Sequence, residues 1–221
     1  MRRLLVVLLL ALTSCKLIGQ TFELIGDSTA FQLLPEILTE LALRHTEAPG
    51  DLVIPLAPVP GAALGRDGDY FKTRLAEARA PQVSKEIAAA LELLHLPVPT
   101  RVQAPDWMLV MLGTNDIRVD EAWSLLDEST ELDAAVDRLM LQVPAGTRVL
   151  WVVPVAAALR ADRRAEFAAG LERAMSRWPA LELLQPDPAW LLPDDVHFSA
   201  EGNRELAQAI RAATRTAEGG E

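Results

Sequence analysis

Six apolar residues stand in an unbroken row from Trp107 to Leu112, and Gly113 ends the run. A strand with one wet face alternates apolar and polar residues, so a continuous run suits a strand covered on both faces. Doubly covered sheets are parallel, and each parallel step needs a crossover, usually a helix. The rest of the chain fits that demand. Short apolar runs at Thr21–Ile25, Leu52–Leu56, Arg148–Val153 and Leu181–Leu184 read as further strands. Between them the apolar spacing turns helical. The first helix carries Leu34, Ile37, Leu38, Leu41 and Ala42, with Pro35 expected in its first turn. Later helices are expected over Tyr70–Leu96 (broken near Pro81), Val119–Val143 (interrupted near Ser129) and Arg160–Trp178. A last one runs from an N-cap at Ser199 to about Thr214. Pro55 leaves the end of the second strand open. Five strands alternating with helices predict an α/β fold with a parallel sheet and right-handed crossovers. In such sheets ligands bind beyond the carboxyl ends of the strands.

The chain has 221 residues, half of them apolar, which suits one domain with a full core. Its net charge of −10 lacks the basic footprint of a nucleic-acid binder. The start stands apart from the fold. Arg2 and Arg3 precede an apolar run from Leu4 to Leu12, the layout of a secretory signal and too short for a spanning helix. The run leads into Leu12-Thr13-Ser14-Cys15, which resembles the lipobox of bacterial lipoproteins. Cys15 is the single cysteine, and an unpaired thiol in an exported chain needs an explanation. The expected organisation is a signal peptide over 1–14, a short tether over 15–21, one domain over 22–215 and a frayed tail over 216–221. The expected location is a bacterial cell envelope, held at the membrane through lipidated Cys15. An ordinary signal peptide and a soluble exported protein are the alternative.

Four segments fall just after expected strands and therefore at one edge of the sheet: Gly26-Asp27-Ser28, Gly61, Gly113-Thr114-Asn115-Asp116 and Asp194-Asp195-Val196-His197. Serine attacks only when a base removes its proton, and His197 is the natural base because imidazole titrates near neutrality. A carboxylate must orient the imidazole. Asp194, three residues earlier, is within reach through a tight turn, and Asp195 is its rival. The attacked carbonyl needs preorganised donors. Candidates are the Gly61 N–H, the Asn115 amide and the Ser28 N–H, with Gly65 competing for the role of Gly61. Each piece has a plainer reading as a turn or a capped loop. His45 and His95 lie near expected helix ends. Trp107, Trp151 and Trp178 are expected in the core, and Trp123 and Trp190 nearer the site. A metal site built on Asp27, Asp116, Asp194 and His197 is a weaker use of the same residues.

These blocks, with Val59-Pro60-Gly61-Ala62 and His197-Phe198-Ser199-Ala200-Glu201-Gly202-Asn203, resemble the SGNH superfamily, also called GDSL hydrolases. The resemblance runs from Phe22 to about Thr214. It implies a three-layer α/β/α fold with a flavodoxin-like sheet of about five strands. It implies Ser28 as nucleophile, His197 as base, Asp194 as acid, and Ser28, Gly61 and Asn115 as the oxyanion hole. The implied reaction is ester hydrolysis through an acyl-enzyme, without metal or cofactor. The expected partners are a small-molecule or carbohydrate ester and, through Cys15, a membrane, but no nucleic acid. Short acyl chains are favoured because Thr29 follows the Gly-Asp-Ser block, as it often does in carbohydrate acetylesterases of the superfamily. O-acyl transfer at the same site and a non-catalytic lipoprotein are the alternatives. The chain departs from the pattern at Thr29, where Leu is usual, and at Asp195, where Gly is common.

Overall fold

The computed structural model describes residues 20–37, 40, 52–58, 64, 104–117, 129–155 and 161–215. Five strands form one parallel sheet: β1 (Thr21–Gly26), β2 (Leu52–Pro58), β3 (Trp107–Met111), β4 (Arg148–Val152) and β5 (Leu181–Leu184). Their order is β2-β1-β3-β4-β5, so the sheet grows outward in both directions from β1 and β3. The described helices are α1 (Ser28–Ile37), the single turn α2 (Thr114–Ile117), α3 (Ser129–Met140), α4 (Ala161–Arg177) and α5 (Ala200–Arg215), with a short 3-10 turn at Pro188–Trp190. Among the described residues, no helix is long and apolar enough to cross a membrane.

Strand residues point alternately to the two faces, and both faces are dry. Met108, Val110, Val149 and Trp151 pack with Leu132, Val136 and Leu139 of α3 and Phe167 and Leu171 of α4. Trp107, Leu109, Leu150 and Val152 face the other way, against Leu33 and Ile37 of α1 and Leu206 and Ile210 of α5. These are the three layers that the run at Trp107–Leu112 demands. Polar bonds tie α3 to the end of α4: Arg173 reaches Asp133 at 3.2 Å, and the Trp178 indole N–H donates to Asp137 at 2.7 Å. Trp107 and Trp151 lie in the core, while Trp178 is half-buried.

Three boundaries differ from the sequence expectation. Helix α1 begins at Ser28 itself, directly after β1, so Pro35 sits in the helix interior and not in its first turn. Its ring is on the exposed side, where a missing backbone bond costs least. The early start also brings Ala30 and Leu33 into the core, with Leu34 only half-buried. Strand β2 runs past Pro55 to Pro58, and its pairing with β1 shifts register between Leu24 and Ile25. A proline has no N–H for the ladder, and a slip beside it lets pairing resume at Ala57. Helix α3 ends at Met140 and not at Val143, because the chain tightens there into a turn, with the Gln142 N–H on the Leu139 carbonyl at 2.9 Å and the Val143 N–H on the Met140 carbonyl at 3.0 Å. The expected helix over 70–96 and the stretch 118–128 lie outside the described residues.

Candidate active site

The carboxyl ends of β1 and β3 meet through backbone contact. The Asp27 N–H donates to the Met111 carbonyl at 3.1 Å. Gly26 permits this approach, since a Cβ there would lie 2.4 Å from the Ala30 Cβ and 2.7 Å from the Met111 oxygen. Gly113 turns the chain out of β3 with φ +117, a conformation that suits glycine. A side chain at 113 would also strike Phe167 at 2.3 Å. Each turn delivers a polar residue to the edge, Ser28 from one and Asn115 from the other.

The third segment comes from the loop before α5. The Ser199 hydroxyl accepts the Gly202 N–H at 2.9 Å, which caps α5 as expected. Leu192 and His197 close the loop, with the Leu192 N–H on the His197 carbonyl at 2.7 Å. Within it, Asp194 Oδ1 accepts the backbone N–H groups of Val196 and His197, both at 3.0 Å. Its Oδ2 lies 2.7 Å from His197 Nδ1. Asp195 takes the left-handed conformation, φ 56, that reverses the chain between them. Geometry thus separates the two rival acids: Asp194 meets the imidazole, and Asp195 makes the turn.

The far ring nitrogen, His197 Nε2, stands 3.1 Å from Ser28 Oγ. Hydrogen bonds from the His197 backbone and ring hold the Asp194 carboxyl down at about 2. At neutral pH it is an ionised, acceptor-only group. The ring must then carry its proton on Nδ1, leaving the Nε2 lone pair to accept the Ser28 O–H. Aspartate, imidazole and hydroxyl form one hydrogen-bonded series, with the hydroxyl polarised at its end.

Asn115 is buried beside this series, and its Nδ2 donates to Asp27 Oδ2 at 3.4 Å. Asp27 is itself buried, and desolvation pushes its carboxyl up to about 6, against hydrogen bonds from Thr29 that lower it. Its Oδ1 receives the Thr29 N–H at 2.8 Å and the Thr29 hydroxyl at 2.6 Å. Asp116 Oδ2 accepts the Leu64 N–H at 2.7 Å, tying the chain three residues beyond Gly61 to the β3 turn. The sequence reading assigned Asp27 and Asp116 to turns. The signal it passed over is the pair of acids flanking candidate catalytic positions within buried turns, where a carboxylate needs partners.

A hollow of about 10 Å³ is lined in part by Thr29, Thr114, Val152, Val155, Val196 and Phe198, and not by Ser28, Asn115 or His197. Thr29 follows Ser28, Thr114 precedes Asn115, and Val196 and Phe198 flank His197. That volume is room for about one water-sized group. Trp190 is half-buried and packs on the α1–α5 side, with its carbonyl accepting the Ser199 N–H at 2.9 Å. Among the described residues, no group of three or more His, Cys, Asp or Glu side chains is placed to hold a metal ion. Gly61, Gly65, Trp123, His45, His95 and Cys15 lie outside the described residues.

No protein-family model and no curated protein matches the chain. Solved structures do. The chain is similar to TesA, at 15% identity and a TM-score of 0.54, over 89% of this chain and 99% of that one. It is similar to the C-terminal catalytic domain of peptidoglycan O-acetyltransferase A from Streptococcus pneumoniae, at 16% identity and a TM-score of 0.52, over 91% and 96%. It is also similar to a lipolytic protein of the G-D-S-L family from Desulfitobacterium hafniense, at 12% identity and a TM-score of 0.51, over 89% and 99%. The chain has the α/β fold of these structures. In this sheet, Ser28 follows β1, Asn115 follows β3, and the Asp194–His197 loop precedes the last described helix. The three segments therefore converge from 169 residues of chain onto one edge.

Proposed function

We propose that this protein is a serine esterase that cleaves carboxylic esters through an acyl-enzyme. The observation that carries the reading is the continuous series Asp194–His197–Ser28, with contacts of 2.7 and 3.1 Å, beside the Asn115 amide. His197 Nε2 takes the Ser28 proton as Oγ bonds to the ester carbonyl carbon. The carbonyl oxygen becomes an oxyanion, which receives hydrogen bonds from Asn115 Nδ2, the Ser28 N–H and the Gly61 N–H. Asp194 stabilises the imidazolium. His197 then returns the proton to the departing alkoxide, which leaves as the alcohol. Water, activated by the same imidazole, attacks the acyl-serine and releases the acid. No step requires a cofactor.

Thr29 after the Gly-Asp-Ser block supports short acyl chains, acetyl first, on a carbohydrate or small alcohol. The direct test is hydrolysis of p-nitrophenyl acetate, with labelling by a fluorophosphonate probe. Wild-type protein is expected to turn over and to take the probe on Ser28. Ser28→Ala is expected to do neither. Equal rates for the two proteins would end the esterase reading.

A second reading is favoured by the likeness to a protein whose name is peptidoglycan O-acetyltransferase A. There the acyl group passes to an acceptor alcohol in place of water. Product analysis with and without an added sugar acceptor separates the two. The same proposal places the enzyme in a bacterial envelope, tethered through Cys15. Incorporation of labelled palmitate that Cys15→Ala abolishes is the expected result.

A further inference from the structure

The turn that carries Ser28 also carries an acid that the proposed mechanism leaves without a part. Asp27 is wholly buried, and its two oxygens have different surroundings. Oδ1 takes both Thr29 donors, the N–H at 2.8 Å and the hydroxyl at 2.6 Å. This is the local bond pattern by which Asp or Asn shapes a turn. Asparagine, with its amide oxygen, would serve those donors equally well. The local turn does not use the second oxygen, which accepts from Asn115 Nδ2 at 3.4 Å, 88 residues away in the chain, and the Thr114 side chain gives the carboxyl a further hydrogen bond. A buried carboxylate is costly to keep ionised, and here burial raises its pKa to about 6. A costly group held where a neutral one would satisfy the turn invites a reason for its charge.

The amide opposite supplies one. An Asn side chain donates through its NH2 and accepts through its oxygen, so rotating it by half a turn inverts what it presents. An ionised carboxylate only accepts. With Asp27 ionised, Asn115 faces it through the NH2 end. Rotation would set the amide oxygen against Oδ2, two acceptors in contact inside a buried site. The NH2 carries two N–H bonds. On the esterase reading, the amide meets a developing oxyanion through its NH2 end, while the rotated amide would offer it a lone pair.

We infer that Asp27 is a positioning residue whose carboxylate fixes the polarity of the Asn115 amide, so that an N–H and not the carbonyl oxygen meets the acyl oxygen of the substrate. The inference rests on the esterase reading and adds to it the group that sets the oxyanion donor.

Asp27→Asn is the informative change. It preserves side-chain shape and keeps an oxygen for the Thr29 donors, but turns a donor towards Asn115. The amide is then expected to rotate. On p-nitrophenyl acetate, kcat is expected to fall by about 100-fold, as for loss of one oxyanion donor, with KM within about twofold. The melting temperature at pH 7.5 is expected to hold or rise, because a buried charge is gone. A merely structural role would lower both activity and melting temperature. In an Asn115→Ala background the same substitution is expected to cost less than about twofold, since residues acting as a unit are not additive. An equal cost in both backgrounds, or an unchanged kcat, overturns the inference. Should Asp27→Asn fail to fold, Thr29→Val removes one donor from the same carboxylate with little change of shape. It is expected to lower kcat several-fold in wild type and not in Asn115→Ala, and equal losses overturn the inference. Ser28→Ala keeps the two readings apart. If it is inert while the cycle is additive, only the role of Asp27 fails; if it retains full activity, the esterase reading fails and takes this one with it.

Discussion

Asp194 grips His197 twice: its Oδ1 accepts the histidine backbone N–H at 3.0 Å, and its Oδ2 meets ring Nδ1 at 2.7 Å. One carboxylate therefore builds the turn and orients the imidazole. The two duties separate in mutants. Asp194→Asn keeps an oxygen for the turn but replaces the charge that stabilises the imidazolium. Its kcat is expected to fall by about 10⁴-fold, with the fold intact by circular dichroism. Asp195→Asn, which leaves the Asp194 contact alone, is expected to stay within about threefold of wild type. Measured esterase rates for the two variants check the assignment.

Asp195 itself holds a strained position, φ 56, in a turn where glycine is free of penalty. Asp195→Gly is expected to stabilise the protein by up to about 1 kcal/mol, and Asp195→Val to destabilise it by more than about 1 kcal/mol. Urea midpoints should rank Gly above Asp above Val. A valine variant as stable as wild type would contradict the conformation.

The two perturbed acids move stability with pH in opposite senses. Asp27 is raised to about 6 from 3.8, so between those values the folded state binds the extra proton. Its contribution falls as pH rises through that window and levels off above it, a change of about 3 kcal/mol at most. Asp194 is lowered to about 2, so its contribution is present above the ordinary carboxylate range and is lost as pH falls towards 2. Its side chain is 47% exposed, so solvent screens the effect and the loss is shallow. Unfolding free energies of wild type minus Asp27→Asn, measured from pH 4 to 7.5, are expected to decline with pH up to about 6 and then stay flat.

Acyl-chain preference is expected to respond to the hollow. Val155→Ala removes part of its wall. The ratio of kcat/KM for p-nitrophenyl butyrate to that for the acetate is expected to rise by about tenfold, the worth of one fitted methylene. Val155 is buried, so the change is also expected to cost about 1–2 kcal/mol of stability. A ratio that does not move would place the acyl group elsewhere.

All five strands were legible within a residue or two because each is a short apolar run bounded by a turn. Burial on both faces removes the need for polar residues, and a run of that kind is visible without neighbours. Helix starts were less legible. Gly-Asp-Ser reads locally as a turn, yet the chain enters α1 at Ser28 because packing of Ala30, Leu33 and Ile37 against the sheet rewards helix from the first residue. That same packing places Pro35 inside the helix. The chain also runs on as a strand past Pro55, because pairing with β1 outweighs one lost ladder bond.

The linear order of residues determined the alternation of strands and helices, and with it the sheet edge where Ser28, Asn115 and His197 gather. Local periodicity and turn chemistry act over a few residues, so they can be read directly. Tertiary structure alone decided which of two adjacent acids meets the imidazole, and that Asp27 faces Asn115. Those outcomes depend on backbone direction at Asp195 and on side chains 88 positions apart. Hydrogen bonds and charges act through space over a few ångströms, and only the folded chain sets those distances.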